Sequence, residues 1–472
     1  MTEKELIADG ILRSGDNKIK VRVSYASRAV LFADFHDSSN ITPGSEFDGL
    51  SIEIIGTVCE FGRCRLISAG VEKRYKGRLV FLDEVYDFQS LFDEKKIVSL
   101  DSLYSNLSLI FLQKNNIKEE FVRYISGLTY DLKVYRNFFD EIDERYLGGE
   151  AESDNIIFNA LVKSEGVKFF DFFDGKLKEL ENLIAGYTRE ENRTHGFYLR
   201  KQLWDVIICS EFLTHCNLKP RGYAGDSELM RMIYENDYRG TSTFGKLLYK
   251  YSLDHPGAAA VRCRKIMIPL YLRDVCEKQS GHSGDEIKFM SIACGPAYEL
   301  SHVFISPEDA ARYQCTLLDQ DREALKEAED NIISIEKNLG SRLKVRYIED
   351  SVRTMLRTPD LSANWGRFHF IYSMGLFDYL IPTVAKAVIE KIYDLLLPGG
   401  ELLIGNYHHG NRSKWFMEYW HDWVLYYRSE DEFIELLADT DAVGISVKFD
   451  DTGSQMFLSA KKPLKADEKN GI

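Results

Sequence analysis

Residues 288–300 restrict the fold of this chain more than any other stretch, because an apolar strand (288–292) runs straight into the small-residue turn Ala293, Cys294, Gly295, Pro296, Ala297 and then into a helix. A turn of small residues at the carboxyl end of a first strand lets backbone N–H groups approach a ligand closely, at the sheet edge where open α/β folds place their ligands. Cys-Gly-Pro after an apolar run also closes turns that bind nothing, so the weight rests on the strands downstream of it. A second apolar strand, 313–318, ends in Asp319, about 20 residues further on, the spacing at which an acidic side chain meets a ribose diol. A third, 343–348, ends in Glu349, Asp350 and Ser351, and a fourth, 368–372, in Ser373, Met374 and Gly375. A fifth, 401–406, comes after the Leu-Leu-Leu-Pro-Gly-Gly run at 395–400.

This ordered set resembles the class I S-adenosylmethionine (SAM) methyltransferases over roughly residues 280–462. The resemblance implies a C-terminal α/β Rossmann-like methyltransferase domain, residues 281–462, with SAM as cofactor. It places Ala293, Cys294, Gly295, Pro296 and Ala297 under the methionine part of SAM, with Glu299 close behind them. Asp319, followed by Gln320, is implied to hold the ribose hydroxyls, and Asp350 to meet the adenine amino group with the Ser351 backbone beside it. Ser373 and Met374, after the fourth strand, complete the implied cofactor contacts. The family's turn carries three glycines and an acid at its start, whereas here Ala293 and Ala297 replace two glycines and Ser291 stands where the acid would be. Alanine is the smallest exchange for glycine, so SAM binding is expected to survive.

Length and composition fit an intracellular enzyme of two or three domains: 472 residues with 44% hydrophobic content bury more than one core. No apolar run approaches the ~20 residues of a membrane span, and the start Met1, Thr2, Glu3, Lys4, Glu5 lacks a signal peptide's basic and apolar regions. A cytoplasmic location is the expectation. The eight cysteines, Cys64, Cys216, Cys263 and Cys294 among them, are scattered without a C-x-x-C pair, which predicts neither a disulfide framework nor a zinc site. A net charge of −14 argues against a nucleic-acid partner, since binding phosphate backbones needs a basic surface.

Residues 1–95 have the texture of a small β domain. Apolar runs at 20–25, 29–35, 50–58, 63–67 and 77–82 are separated by clusters such as Asp37-Ser38-Ser39-Asn40 and Thr42-Pro43-Gly44, and an all-β barrel is the natural packing for such strands. The strand order resembles a divergent PilZ domain, the barrel many bacterial proteins use to sense cyclic di-GMP. That family's binding motif needs Arg-x-x-x-Arg and Asp-x-Ser-x-x-Gly, whereas this chain offers Arg22 and Arg28 at another spacing and Asp37-Ser38-Ser39 without the glycine. A nucleotide-blind docking or dimerisation barrel is therefore expected.

Residues 96–280 change to a helical period. Phe121, Val122, Tyr124, Ile125, Leu128 and Leu132, then Tyr135, Phe138, Phe139 and Ile142, recur at three and four and form one stripe on a long helix, suited to a core or to a homodimer partner. Further helices are expected over 154–164, 167–189 and 200–216, and 463–472 is a polar tail. Within this linker and lid region lies Lys-Pro-Arg-Gly-Tyr-Ala-Gly-Asp (219–226), feeding a helix that carries Glu-Leu-Met and Tyr-Glu-Asn. Asp226 reads equally as that helix's N-cap and as a ligand contact.

This motif, followed in order by Cys-Gly-Pro-Ala-Tyr-Glu, resembles the bacterial methyltransferases of 3-hydroxypalmitic acid methyl ester biosynthesis, over roughly residues 195–462. The resemblance implies methyl transfer to the carboxylate of a 3-hydroxy fatty acid, giving a quorum signal, and a small-molecule acyl or carboxylate substrate. A carboxylate is already ionised at pH 7, so no general base is required. The loops after the fourth and fifth strands, 373–379 and 406–412, are the first candidates for the acceptor site. Arg412, Arg221 or His408 is suited to a carboxylate, and Tyr379, Tyr407 or Tyr223 to a hydroxyl, with Asp226 beside them in a turn expected to close over the site. The pair His408-His409 has no third ligand at metal spacing, so no metal is expected. Aromatic residues from Trp415 to Tyr427 recur at helical spacing, as core packing or the wall of an acyl tunnel. A protein methyltransferase and a non-catalytic SAM or nucleotide sensor remain open beside this reading.

Overall fold

The computed structural model describes residues 4–15, 17–26, 31–35, 41–42, 44–54, 57–69, 75–83, 116–147, 151–279 and 286–464. The chain forms two compact units, one of Met1–Ala224, Asp237–Ser252 and Trp415–Trp423, the other of Gly225–Asn236, Leu253–Lys414 and Val424–Ile472.

In the first unit, strands β1 (Lys4–Ser14), β2 (Asn17–Ala26), β3 (Leu31–Phe35), β4 (Glu46–Phe47), β5 (Gly49–Ile54), β6 (Thr57–Phe61), β7 (Cys64–Ala69) and β8 (Tyr75–Phe81) make an antiparallel sheet in the order β4-β7-β8-β3-β2-β1-β5-β6. Alternation sets its buried face: Leu31, Ala33 and Phe35 on β3 point into a core shared with Leu12, Val21, Leu50 and Leu79. The expected closed barrel is not formed. Among the described residues no ladder joins the end strands β4 and β6, and β4, only Glu46 and Phe47, pairs with β7 alone. Alternation reports a buried face but not whether two sheet edges meet. The single strand expected over 50–58 is instead a hairpin, with Ile54 opposite Thr57. Arg22 is exposed on β2, while Arg28 and Asp37-Ser38-Ser39 lie outside the described residues.

The helical stripe is present. Helix Glu119–Tyr146 buries Phe121, Ile125, Leu128, Leu132 and Phe139, and helix Val167–Ile184 buries Phe169, Phe173, Leu177, Leu180 and Ile184 in the same core. Two helical expectations are corrected. The helix expected over 200–216 is broken, because Arg189–Gln202 ends and Glu211–Leu218 starts afresh with the Ser210 hydroxyl accepting from Leu213 N. The aromatic run is helical only over Lys414–Trp420. There Arg200 Nη1 donates to the carbonyls of Glu418 (3.0 Å) and Tyr419 (3.1 Å), and Asn217 Nδ2 to that of Trp420 (2.8 Å), which satisfies the helix end from outside. Phe416, Tyr419 and Trp420 are core residues of this unit. Beyond them Asp422, at φ 50°, pairs with Arg200 (2.7 Å) and Lys219 (2.5 Å) in a buried triad.

In the second unit, strands β9 (Ile287–Ile292), β10 (Tyr313–Asp319), β11 (Lys344–Glu349), β12 (Phe368–Ser373), β13 (Leu396–Tyr407), β14 (Val443–Phe449) and β15 (Gln455–Lys461) form one mixed sheet in the order β11-β10-β9-β12-β13-β15-β14. β9 to β13 run parallel to one another, and β15, antiparallel to β13, and β14 add an antiparallel edge. Both faces are covered. Ile287, Phe289, Phe370 and Leu403 point into one core, and Met290, Ile292, Ile371 and Leu402 into another. This is the expected Rossmann-like architecture. Strand order reverses between β9 and β12, so the crevice at their carboxyl ends is the switch point where such sheets bind ligands. Among the described residues no helix is long and apolar enough to cross a membrane.

Candidate cofactor and active site

The turn after β9 keeps a glycine's backbone where the residues are alanines: Ala293, Gly295 and Ala297 have φ of 52°, 54° and 51°. That conformation costs a residue with a Cβ about 1–2 kcal/mol and persists only where the surroundings impose it. Here Cys294 N donates to Leu318 O (3.0 Å), Ala297 N to Cys294 O (3.1 Å) and Asn331 Nδ2 to Ala297 O (2.9 Å). A Cβ added to Gly295 would meet nothing within 4 Å, so this face of the turn is open.

Asp319, 7% exposed at the end of β10, locks the turn. Its Oδ2 accepts from Gly295 N and its Oδ1 from Asp321 N, both at 2.9 Å, while its carbonyl accepts from Asp350 N at 3.1 Å. Burial pushes the carboxyl above its ordinary pKa, against these N–H bonds. Each carboxylate oxygen retains acceptor capacity. Half-buried Asp350 accepts from Ser351 N (2.8 Å), and Ser351 caps helix Val352–Arg357. Gln320 is exposed and Pro296 buried. Ser373 Oγ donates to Ile292 O (2.8 Å), tying β12 to β9 at the switch point, and Met374 O accepts from Gln455 Nε2 (3.3 Å). Glu299 is buried and accepts from the Tyr372 hydroxyl (2.7 Å), and burial raises both its carboxyl and the Cys294 thiol.

The acceptor candidates are placed unequally. Tyr407 is buried and its hydroxyl donates to Gly257 O at 2.7 Å. His408 Nδ1 accepts from Gly410 N at 3.0 Å, Arg412 is exposed, and Tyr379 is 42% exposed on the short helix Phe377–Tyr379. Arg221 and Tyr223 belong to the first unit, whereas Asp226 belongs to the second. Asp226 does cap helix Ser227–Glu235, accepting from Leu229 N at 2.9 Å. That helix carries Tyr234 edge-on to Tyr298 (centroids 5.5 Å apart), with Lys265 Nζ 4.7 Å from the Tyr234 ring, so the two sequence motifs meet in space.

Sequence reasoning assigned no role to two buried charged groups. Asp378 lies in the expected acceptor loop. It accepts from Tyr407 N (2.7 Å), and burial pushes its carboxyl up to about 6 despite the nearby guanidinium groups of Arg264 and Arg428. Arg264 lies on helix Pro256–Gln279 between Arg262 and Lys265, and nothing in that run of cations marked it out.

No family model matches this chain, and no curated protein matches it. Among similar solved structures is a possible exported protein from Bordetella parapertussis, 16% identical over 57% of this chain and 88% of that one, with a TM-score of 0.43. Another is the magnesium protoporphyrin IX methyltransferase from Synechocystis PCC 6803 with bound SAM, 10% identical over 43% and 83% of the two chains, TM-score 0.31. A third is an N-methyltransferase from Bradyrhizobium japonicum WM9 in complex with S-adenosylhomocysteine (SAH), 14% identical over 44% and 89%, TM-score 0.30.

Gly295→Val provides a direct test of the open turn. Its Cβ has room, so the fold should lose only the backbone strain of a β-branched residue at positive φ, about 1–2 kcal/mol, while SAH binding measured by calorimetry should disappear. Retained affinity would show that the ligand does not approach this turn.

Proposed function

We propose that this chain transfers a methyl group from SAM to the carboxylate of a 3-hydroxy fatty acid or a similar small acid, giving a methyl ester. The observation that carries the reading is the open turn at Gly295, held by the Asp319 carboxylate at the sheet's switch point. These residues fit the cofactor: Ala293, Gly295 and Ala297 offer a backbone that approaches closely, Asp319 has acceptor capacity for ribose hydroxyls, and Asp350 lies on the neighbouring strand end. SAM supplies an activated methyl group. The chain's own task is then positioning, since an ionised carboxylate attacks without losing a proton, and fixing acceptor and donor in line contributes up to about 7–11 kcal/mol. Tyr379 and the 406–412 loop are proposed to hold the acceptor, with Asp226 as a further candidate in the same unit. The N-terminal sheet is proposed as a docking element that does not bind cyclic di-GMP, with a homodimer through it or the helical region.

Incubating the purified protein with methyl-labelled SAM and 3-hydroxypalmitate should place label in the lipid extract. Label in the protein extract instead would favour a protein methyltransferase, and SAM binding without transfer a sensor. Asp226→Ala should cost roughly 0.5–2 kcal/mol in urea unfolding through loss of the cap. If Asp226 also acts in turnover, Asp226→Asn, which keeps a capping oxygen, should lower product formation at unchanged SAH affinity. Normal turnover in that variant would leave Asp226 as a cap alone.

A further inference from the structure

We propose that Arg264 is the anchor for a ligand carboxylate in the second unit, an inference that rests on the methyltransferase reading. Arg264 is 7% exposed, and its one side-chain hydrogen bond among the described residues is Nε to Gln455 Oε1 at 3.0 Å. Gln455 is itself held, its Nε2 donating to Met374 O (3.3 Å) and its N to Asp450 Oδ1 (2.7 Å), so the guanidinium plane is set by the sheet beside it. Nη1 lies 3.7 Å from where a Cβ on Gly375 would stand, and beyond Gly375's own neighbours nothing else approaches that point within 4 Å. Nη1 thus lies at the carboxyl end of β12, next to the uncrowded point above Gly375, and β12 pairs with β9, the strand that ends in the Gly295 turn.

No ion pair forms on Arg264 among the described residues. Glu299 and Asp378 sense its charge, but their hydrogen bonds come from the Tyr372 hydroxyl and Tyr407 N rather than from the guanidinium. The two Nη groups make no hydrogen bond to the described residues and are not sealed from solvent, so they can still receive a ligand's acceptor atoms. The planar fork of donors matches a carboxylate bidentately. That carboxylate belongs either to the methionine end of the cofactor or to the acceptor, and binding separates the two.

The test compares wild type, Arg264→Gln and Arg264→Lys by calorimetry with SAH, with 3-hydroxypalmitate and with its methyl ester, alongside ligand-free melting. If the cofactor's carboxylate is held, Arg264→Gln weakens SAH at least tenfold and leaves the fatty acid unchanged. If the acceptor's is held, the fatty acid weakens at least tenfold while SAH and the methyl ester do not change. In either case Arg264→Lys recovers part of the loss, and the ligand-free variants melt no lower than wild type. Folded variants that bind SAH and the acid as wild type does overturn the proposal, and a lowered ligand-free melting point with unchanged binding marks Arg264 as structural. Wild type that binds the acid but not SAH sinks the methyltransferase reading while the acid arm still decides Arg264. Wild type that binds neither overturns both.

Discussion

Asp319→Ala is expected to weaken SAH binding by about 10- to 150-fold, the equivalent of the roughly 1.5–3 kcal/mol of hydrogen bonds to a charged group. Two effects add. A carboxylate that would accept from ribose hydroxyls is lost, and the N–H groups of Gly295 and Asp321, both bonded to it at 2.9 Å, lose their acceptor. The second effect should appear without ligand as a lowered melting temperature, because the positive-φ turn at Ala293, Gly295 and Ala297 loses a restraint. Asp319→Asn separates the two, since its carbonyl oxygen serves one N–H while its amide opposes the other. Calorimetry that returns wild-type SAH affinity in folded Asp319→Ala would remove Asp319 from the ribose role.

Asp422→Ala should be the most damaging single substitution for the first unit, at about 3–5 kcal/mol, because removing one member of a buried ion network leaves the others uncompensated. Arg200 and Lys219 lie 2.7 Å and 2.5 Å from its two oxygens, and both are largely buried. Arg200 also holds the carbonyls of Glu418 and Tyr419, so its displacement should loosen the Lys414–Trp420 helix and the aromatic core it feeds. Alanine at φ 50° adds backbone strain. Asp422→Asn, which tolerates that conformation, isolates the charge and should retain most of the loss. Urea unfolding that shows both variants as stable as wild type would mean that solvent screens the triad.

The five parallel strands of the second unit, the turn at Gly295 and the acid at Asp319 were legible from the chain alone, because their signals are local. A buried strand is a short apolar run, and a close-approach turn needs small residues within five positions. The long stripe from Phe121 to Phe139 was legible for the same reason, since one helix face repeats within a few residues. Features set by partners far along the chain were not. Whether the N-terminal sheet closes depends on β4 meeting β6, and the stop after Trp420 depends on Arg200 and Asn217, some 200 residues away. Tyr407 looked free to orient a ligand until Gly257 O took its hydroxyl, and Arg264 carried no pattern until Gln455 and Gly375 came beside it. Local composition thus determined the elements and the small-residue turn. Only the tertiary structure decided which buried polar groups have partners, because a hydrogen bond or a desolvated charge belongs to the neighbours that folding brings together.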